Sequence, residues 1–338
     1  MAFFACWKGV NMDIINVKGL CKSYRVAIRN SGFKNAIKSF IKRNYKIIEA
    51  VHDISFTIKE GEIVGYIGPN GAGKSTTIKM LTGILKPDSG EIKINKMNPV
   101  IDRKNYVKEI GVVFGQKSQL WWDIPAIESF DLLKEIYRIP DNEYIKTRDE
   151  LITLLNLGEI VKIPVRGLSL GERMKCELVA SLLHNPKILF LDEPTIGLDA
   201  ISKVIVRDFI KKINKEKKVT VILTTHDMAD IESLANRVIV IGSGKKLYDG
   251  NVEDIKRKYS NEKIVEIYYD NMKMLPKIKN SEVISNSNGI VKLKIDSRKM
   301  SVSDVTREYT KVCEIKDINV LSSPIDDIIY KLYEDFEI

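Results

Sequence analysis

The nine residues GPNGAGKST at Gly68–Thr76 decide how the rest of the chain is read. They follow the apolar run EIVGYI (Glu62–Ile67), and they lead into TTIKMLTGIL (Thr76–Leu85), whose apolar spacing predicts a helix. A strand, a glycine-rich turn and a helix in that order form a cradle for phosphate groups. Gly68, Gly71 and Gly73 let backbone N–H groups wrap the phosphates without Cβ clashes, with Pro69, Asn70 and Ala72 between them. The helix N-terminus adds its partial positive charge. Lys74 is placed to reach the β- and γ-phosphates of a nucleotide, the Ser75 hydroxyl to ligate Mg²⁺, and Thr76 closes the motif.

A second element, KILFLDEP at Lys187–Pro194, is an apolar strand that ends in two carboxylates. Ligands in a parallel sheet sit at the C-terminal strand ends, which is where Asp192 and Glu193 would be delivered. Asp192 suits the Mg²⁺ shell, and Glu193 suits the role of base toward an attacking water. Other short apolar runs, Val219–Leu223 and Val238–Ile241 among them, read as further buried strands with helices between. Residues 126–160 carry two helical patterns with no strand between, which predicts a helical subdomain inserted into the α/β core.

Just before the second element stands LSLGERM, Leu168–Met174. It resembles the signature of the ABC ATPases, usually LSGGQ, with Ser169 and Gly171 kept, Leu170 for the first glycine and Glu172 for the glutamine. The resemblance covers roughly residues 13–255, and the other family motifs follow in order. It implies a P-loop ABC-ATPase fold: a mostly parallel core sheet, an antiparallel β part and a helical subdomain at 117–167. It implies that Ser169 and Gly171 bind the γ-phosphate held by a second copy. It also implies that Gln116 of VVFGQKSQL touches Mg²⁺ and couples to a membrane subunit, with Gln119 as rival because Gly115 is one residue extra. Asp199 of GLDA would lie at the dimer seam, His226 of TTHD would face the γ-phosphate, and Tyr24 of KSYRV would stack on adenine. An ordinary strand tyrosine is the alternative for Tyr24. Trp121 and Trp122 would line the groove that receives the permease, or else fill the core.

The chain most resembles ATPase subunits of drug- and sodium-extruding exporters encoded apart from their permeases. The expected function is ATP hydrolysis driving transport, with export the expected direction, and ATP and Mg²⁺ as cofactors. The expected partners are a membrane permease, a second copy and the inner membrane surface, but not nucleic acid. Polysaccharide exporters of the teichoic acid and O-antigen type are an alternative, as are non-transport ABC ATPases, which carry coiled coils, zinc modules or a second cassette. An importer is disfavoured because the tail lacks an oligosaccharide-binding-type fold.

Composition agrees with this reading. The net charge of +9 suits an anionic partner. Seven basic residues and no acid lie between Arg25 and Lys46. Residues 26–48 read as a basic insertion, with an amphipathic helix expected over 33–48: Phe33, Ile37, Phe40, Ile41 and Ile48 on one side, and Lys34, Lys38 and Lys42 on the other. Cys6, Cys21, Cys176 and Cys313 show no metal or disulfide spacing, which points to a reducing compartment. No apolar run approaches the roughly 18–20 residues that span a bilayer, and the opening has no signal-peptide pattern. A cytoplasmic protein, peripheral on the membrane, is therefore expected. The domains read as a tail at 1–11, the ATPase at 12–258 and a small α+β extension at 259–338. In that extension, Ser323 and Pro324 would open a last helix with Ile325, Ile328, Ile329, Leu332, Tyr333 and Phe336 on one face.

Overall fold

Strand β3 (Ile63–Ile67) is apolar on both sides, so it needs cover on both faces and neighbours on both edges. The structure is a computed structural model that describes residues 12–28, 44–115, 117–259, 262–272, 274–322 and 325–336. In it, β3 pairs in parallel with β7 (Thr220–Thr224) and β8 (Arg237–Gly242). β7 pairs in parallel with β6 (Ile188–Asp192), and β6 with β5 (Ile110–Phe114). With β9 (Lys245–Asn251) the order is β5-β6-β7-β3-β8-β9. The parallel arrangement sends the C-terminal ends of β3, β6 and β7 to one edge.

A second sheet is antiparallel, with β1 (Asp13–Ile28) between β2 (Asn44–Lys59) and β4 (Ser89–Ile94). Ile15, Leu20, Ile54 and Ile58 of this sheet share one core with Val64, Tyr66, Phe190 and Ile239 of the parallel sheet. Helix α1 (Lys74–Leu81) adds Ile78, Met80 and Leu81 to the same core. Tyr106, which ends α2 (Arg103–Tyr106), is fully buried and donates its hydroxyl to the Leu81 carbonyl at 2.6 Å.

Between β5 and β6 the chain forms α3 (Ala126–Tyr137) and α4 (Asp141–Leu154), each entered through a proline, and then α5 (Leu170–Leu182). Proline suits those entries because the first helical N–H groups have no intrahelical partner to lose. His184 ties this region to the sheet. Its ring stacks on Tyr137 with centroids 4.0 Å apart, and Nε2 lies 2.9 Å from the Ile110 carbonyl. Burial pulls the His184 pKa down, which favours the neutral ring. Helix α6 (Ala200–Lys217) and the short α7 (Met228–Leu234) complete this part.

The helix expected over 33–48 is corrected at its end. Residues 44–48 belong to β2, where Ile48 pairs with Tyr24, Ile47 with Arg25 and Lys46 with Val26. Tyr45, Ile47 and Ile48 are aromatic or β-branched, and backbone pairing with β1 outweighs their helical spacing. Residues 33–43 lie outside the described residues. Beyond Cys21, the last position paired with β4, β1 and β2 run on as a two-stranded arm carrying the exposed Val26, Tyr45, Ile47 and Ile48.

The chain divides into two compact units at Asp249/Gly250, earlier than the boundary expected at 258. Helix α8 (Val252–Tyr259) therefore goes with the second unit, because it packs against α10 (Ile325–Asp335). The second unit contains a four-stranded antiparallel sheet, ordered β11-β12-β10-β13. Its strands are β10 (Glu262–Asp270), β11 (Ser281–Ser287), β12 (Ile290–Asp296) and β13 (Glu314–Ser322). Val265, Ile267, Val291, Leu293 and Ile295 pack on Val305 and Tyr309 of α9 (Val302–Thr310). Ile325, Ile328, Ile329 and Leu332 of α10 are buried, whereas Phe336 is exposed; Ser323 and Pro324 lie outside the described residues.

Gly111 of β5 lets α5 approach the sheet, since a Cβ there would stand 2.3 Å from the Ser181 carbonyl. Overpacking of this kind typically costs about 1–3 kcal/mol. Gly111→Ala is expected to lose that much stability in chemical denaturation, and an unchanged midpoint would contradict the packing described.

Candidate active site

The loop after β3 reaches α1 with no side-chain cap on the helix, and Gly73 takes the N-cap place at φ 102°. The N–H groups of the first turn are thus left for an anion. A Cβ on Gly73 would stand 2.2 Å from the Ala50 carbonyl, so the position excludes every other residue on space as well as conformation. Lys74 is buried and donates to the Gly68 and Pro69 carbonyls at 2.6 and 3.2 Å. Burial lowers its pKa, against the upward pull of Glu193 and Asp192. Tyr24 Oη lies 3.4 Å from Thr76 Oγ1, which places the exposed tyrosine beside the loop.

Asp192 ends β6 opposite Thr224 of β7, whose hydroxyl donates to Asp192 Oδ1 at 2.6 Å. Ser75 donates to the same oxygen at 3.4 Å, so the hydroxyl and the carboxylate converge across the loop. Glu193 has a positive φ of 55°, rare for a residue with a side chain. The turn is held by its N–H, which donates to the Thr224 carbonyl at 3.0 Å. His226 Nδ1 lies 3.5 Å from Glu193 Oε1. Ser75, Asp192 and Glu193, with Lys79, Phe114, Gly115 and Lys117, line a cavity of about 200 Å³. Gln116 lies outside the described residues. Its rival Gln119 is engaged elsewhere, donating to the Glu177 carbonyl at 3.1 Å.

Ser169 caps α5 in a reciprocal box: its hydroxyl accepts from the Glu172 N–H, while Glu172 Oε2 accepts from the Ser169 N–H at 2.9 Å. These bonds from Ser169 hold the Glu172 carboxyl below its usual pKa. The helix therefore forms without the first signature glycine. The Leu170 side chain packs at Gly197, 2.8 Å from where a Cβ would stand. Asp199 caps α6, accepting from the Ser202 N–H at 2.9 Å and hydroxyl at 2.7 Å, and Ser202 Oγ abuts Gly171. Ser169, Gly171 and Asp199 are thus gathered at two adjoining helix N-termini, and none of them lines the cavity of Ser75 and Glu193.

The site residues described thus fall into two separate clusters, and the relatives settle the family. The family model described as ABC transporter matches residues 51–196. The ABC transporter ATP-binding protein NatA of Bacillus subtilis is 33% identical over 224 residues, 66% of this chain and 89% of the relative. This chain belongs to the ABC transporter ATP-binding proteins. YhcH of the same organism, also an ABC transporter ATP-binding protein, is 33% identical over 63% of this chain and 69% of its own. Among solved structures, the dimeric cassette MJ0796 in a post-hydrolysis state with ADP and Pi superposes with a TM-score of 0.59. It is 28% identical and matches 70% of this chain and 98% of that one.

As an ABC ATPase, the chain has supports that its motifs did not disclose. Buried Asp230 accepts from Thr225 at 2.8 Å, from Thr195, and from Arg207 of α6 at 2.6 Å. Asp227 accepts from Lys203 of α6 at 2.6 Å; burial opposes its charge, but Lys203 holds its pKa below the usual value. The residues flanking His226 are thereby tied to the helix headed by Asp199. The pairing of TTHD with basic residues one turn apart in α6 was the only sequence sign of it. At the phosphate loop, Gly73→Ala is expected to weaken MgATP binding by at least about tenfold through lost backbone geometry. Equilibrium nucleotide titration checks this, and wild-type affinity would contradict it.

Proposed function

We propose that this ABC ATPase powers export through a separate membrane permease, two copies closing around two ATP molecules. The observation that carries the two-copy reading is the separation of the clusters. Lys74, Ser75, Asp192, Glu193 and His226 gather on one side, while Ser169, Gly171 and Asp199 gather at other helix ends. In the proposed dimer, Ser169 and Gly171 of one copy meet the γ-phosphate seated on the other copy's loop. Tyr24 stacks on adenine. Glu193 accepts the proton of the attacking water, His226 holds the γ-phosphate, and Asp199 stands at the seam.

Ser75 Oγ and Asp192 Oδ1, 3.4 Å apart, are hard oxygen donors that fit Mg²⁺, with Gln116 proposed as a further ligand. Bound there, Mg²⁺ supplies charge neutralisation on the phosphate oxygens. The export direction draws support from the second unit, whose open four-stranded sheet differs from the barrel of sugar importers. Contact with the inner membrane surface draws support from the β1–β2 arm, where exposed Val26, Tyr45, Ile47 and Ile48 stand beside Arg25 and Lys46. Each such basic side chain near anionic lipid is worth about 1 kcal/mol.

Glu193→Gln keeps the side chain's shape but removes its basicity. It is expected to cut ATP turnover by about 10²–10⁴-fold while MgATP still binds. Turnover at the wild-type rate would refute the assignment. In flotation with anionic vesicles, Arg25→Glu with Lys46→Glu is expected to reduce binding; equal flotation of both proteins would remove the arm from the membrane contact.

A further inference from the structure

Glu177 lies on α5 eight residues beyond Ser169, about 12 Å along the helix. It is 4% exposed, and among the described residues no cation pairs with it. A buried carboxylate without a counter-ion is costly unless its oxygens are hydrogen-bonded. Here the bonds come from one short segment, the residues that follow Gln116. Ser118 donates its hydroxyl to Glu177 Oε1, and the Gln119 N–H donates to Oε2 at 3.2 Å. The Gln119 side-chain amide donates to the Glu177 carbonyl at 3.1 Å. The Leu120 N–H donates to Ser118 Oγ at 3.1 Å, which fixes the hydroxyl that the carboxylate receives.

The attachment continues toward the signature. Arg173, one turn nearer Ser169, lies over the Trp122 ring at 5.6 Å, and the Trp122 carbonyl accepts from the Arg166 N–H at 3.0 Å. Packing alone would be met by an apolar side chain of similar volume, as commonly happens at buried polar sites. A carboxylate, by contrast, specifies one register between segment and helix.

We propose that Glu177 is a positioning residue, which locks Ser118–Leu120 to the helix capped by Ser169. With Ser118–Leu120 held at one register on α5, Glu177 sets where the Ser169 end of that helix stands for the partner's nucleotide. The proposal rests on the reading that Ser169 and Gly171 serve the nucleotide of a second copy. It goes beyond that reading in naming the residue that ties Ser118–Leu120 of one copy to the helix end it offers its partner.

The test uses the full-length Glu193→Gln protein, to which Glu177→Ala, Glu177→Gln or Ser118→Ala is added. Sedimentation with and without MgATP gives the dimerisation midpoint, and titration of the monomer gives its MgATP affinity. Loss of these hydrogen bonds predicts a midpoint about tenfold higher for Glu177→Ala, with monomer affinity changed by less than about twofold. Ser118→Ala is expected to raise the midpoint by about threefold and to add nothing once Glu177 is already alanine. Glu177→Gln, which keeps one acceptor and the length, is expected to fall between parent and alanine. Midpoints within about twofold of the parent, additive effects, or affinity falling in step with dimerisation would each overturn the proposal. Should Glu177→Ala fail to fold, Ser118→Ala decides the matter by the same midpoint. A parent that forms no ATP-dependent dimer would overturn the two-copy reading itself, and this proposal with it.

Discussion

The hydroxyl of Thr224 donates to Asp192 across two neighbouring parallel strands, and the edge that carries the candidate site is built around that 2.6 Å bond. It fixes the carboxylate where the Ser75 hydroxyl can share it. The carbonyl of the same threonine accepts from the Glu193 N–H, and so turns Glu193 through its positive φ toward His226. A slip of one residue in the pairing of β6 with β7 would send these side chains to the opposite face. Ile188 and Phe190 of β6 and Ile222 of β7 sit in the core shared with the antiparallel sheet, while Leu189, Leu191, Val221 and Leu223 are buried at the alternate positions, so a slip would pull every one of them from its fitted neighbours.

Much of this edge was legible in the sequence because phosphate chemistry narrows the choice of residues. A loop that must wrap an anion needs glycine where φ is positive, as at Gly71 and Gly73, and a strand end that must reach the cavity needs acids, as at Asp192 and Glu193. Thr224 was not legible, since a threonine in an apolar strand reads as a strand former and nothing more. Glu177 was hidden for a similar reason: an acid in a helix normally faces solvent, and only the fold puts Ser118 and Gln119 above it.

Local pattern misled where tertiary or edge effects dominate. Ile48 fits a helical face by spacing, yet pairing with Tyr24 makes it part of a strand. β11, Ser281–Ser287, carries little apolar character because it lies at the sheet edge, so its alternation is faint. Leu170 stands where the signature usually has its first glycine. The capping box of Ser169 and Glu172 starts the helix without a glycine there, and the leucine fills space beside Gly197.

The central claim is that each ATP is served by two copies, the phosphate loop coming from one and the helix end of Ser169 from the other. Mixing two inactive variants, Lys74→Ala and Ser169→Arg, tests it directly by ATPase rate. A mixed dimer restores one intact site, from the loop of one chain and the signature of the other. With random pairing, half the dimers are mixed and each has one of two sites, so the account predicts recovery to about a quarter of the wild-type rate. No recovery in the mixture, with both variants folded and associating, would contradict it.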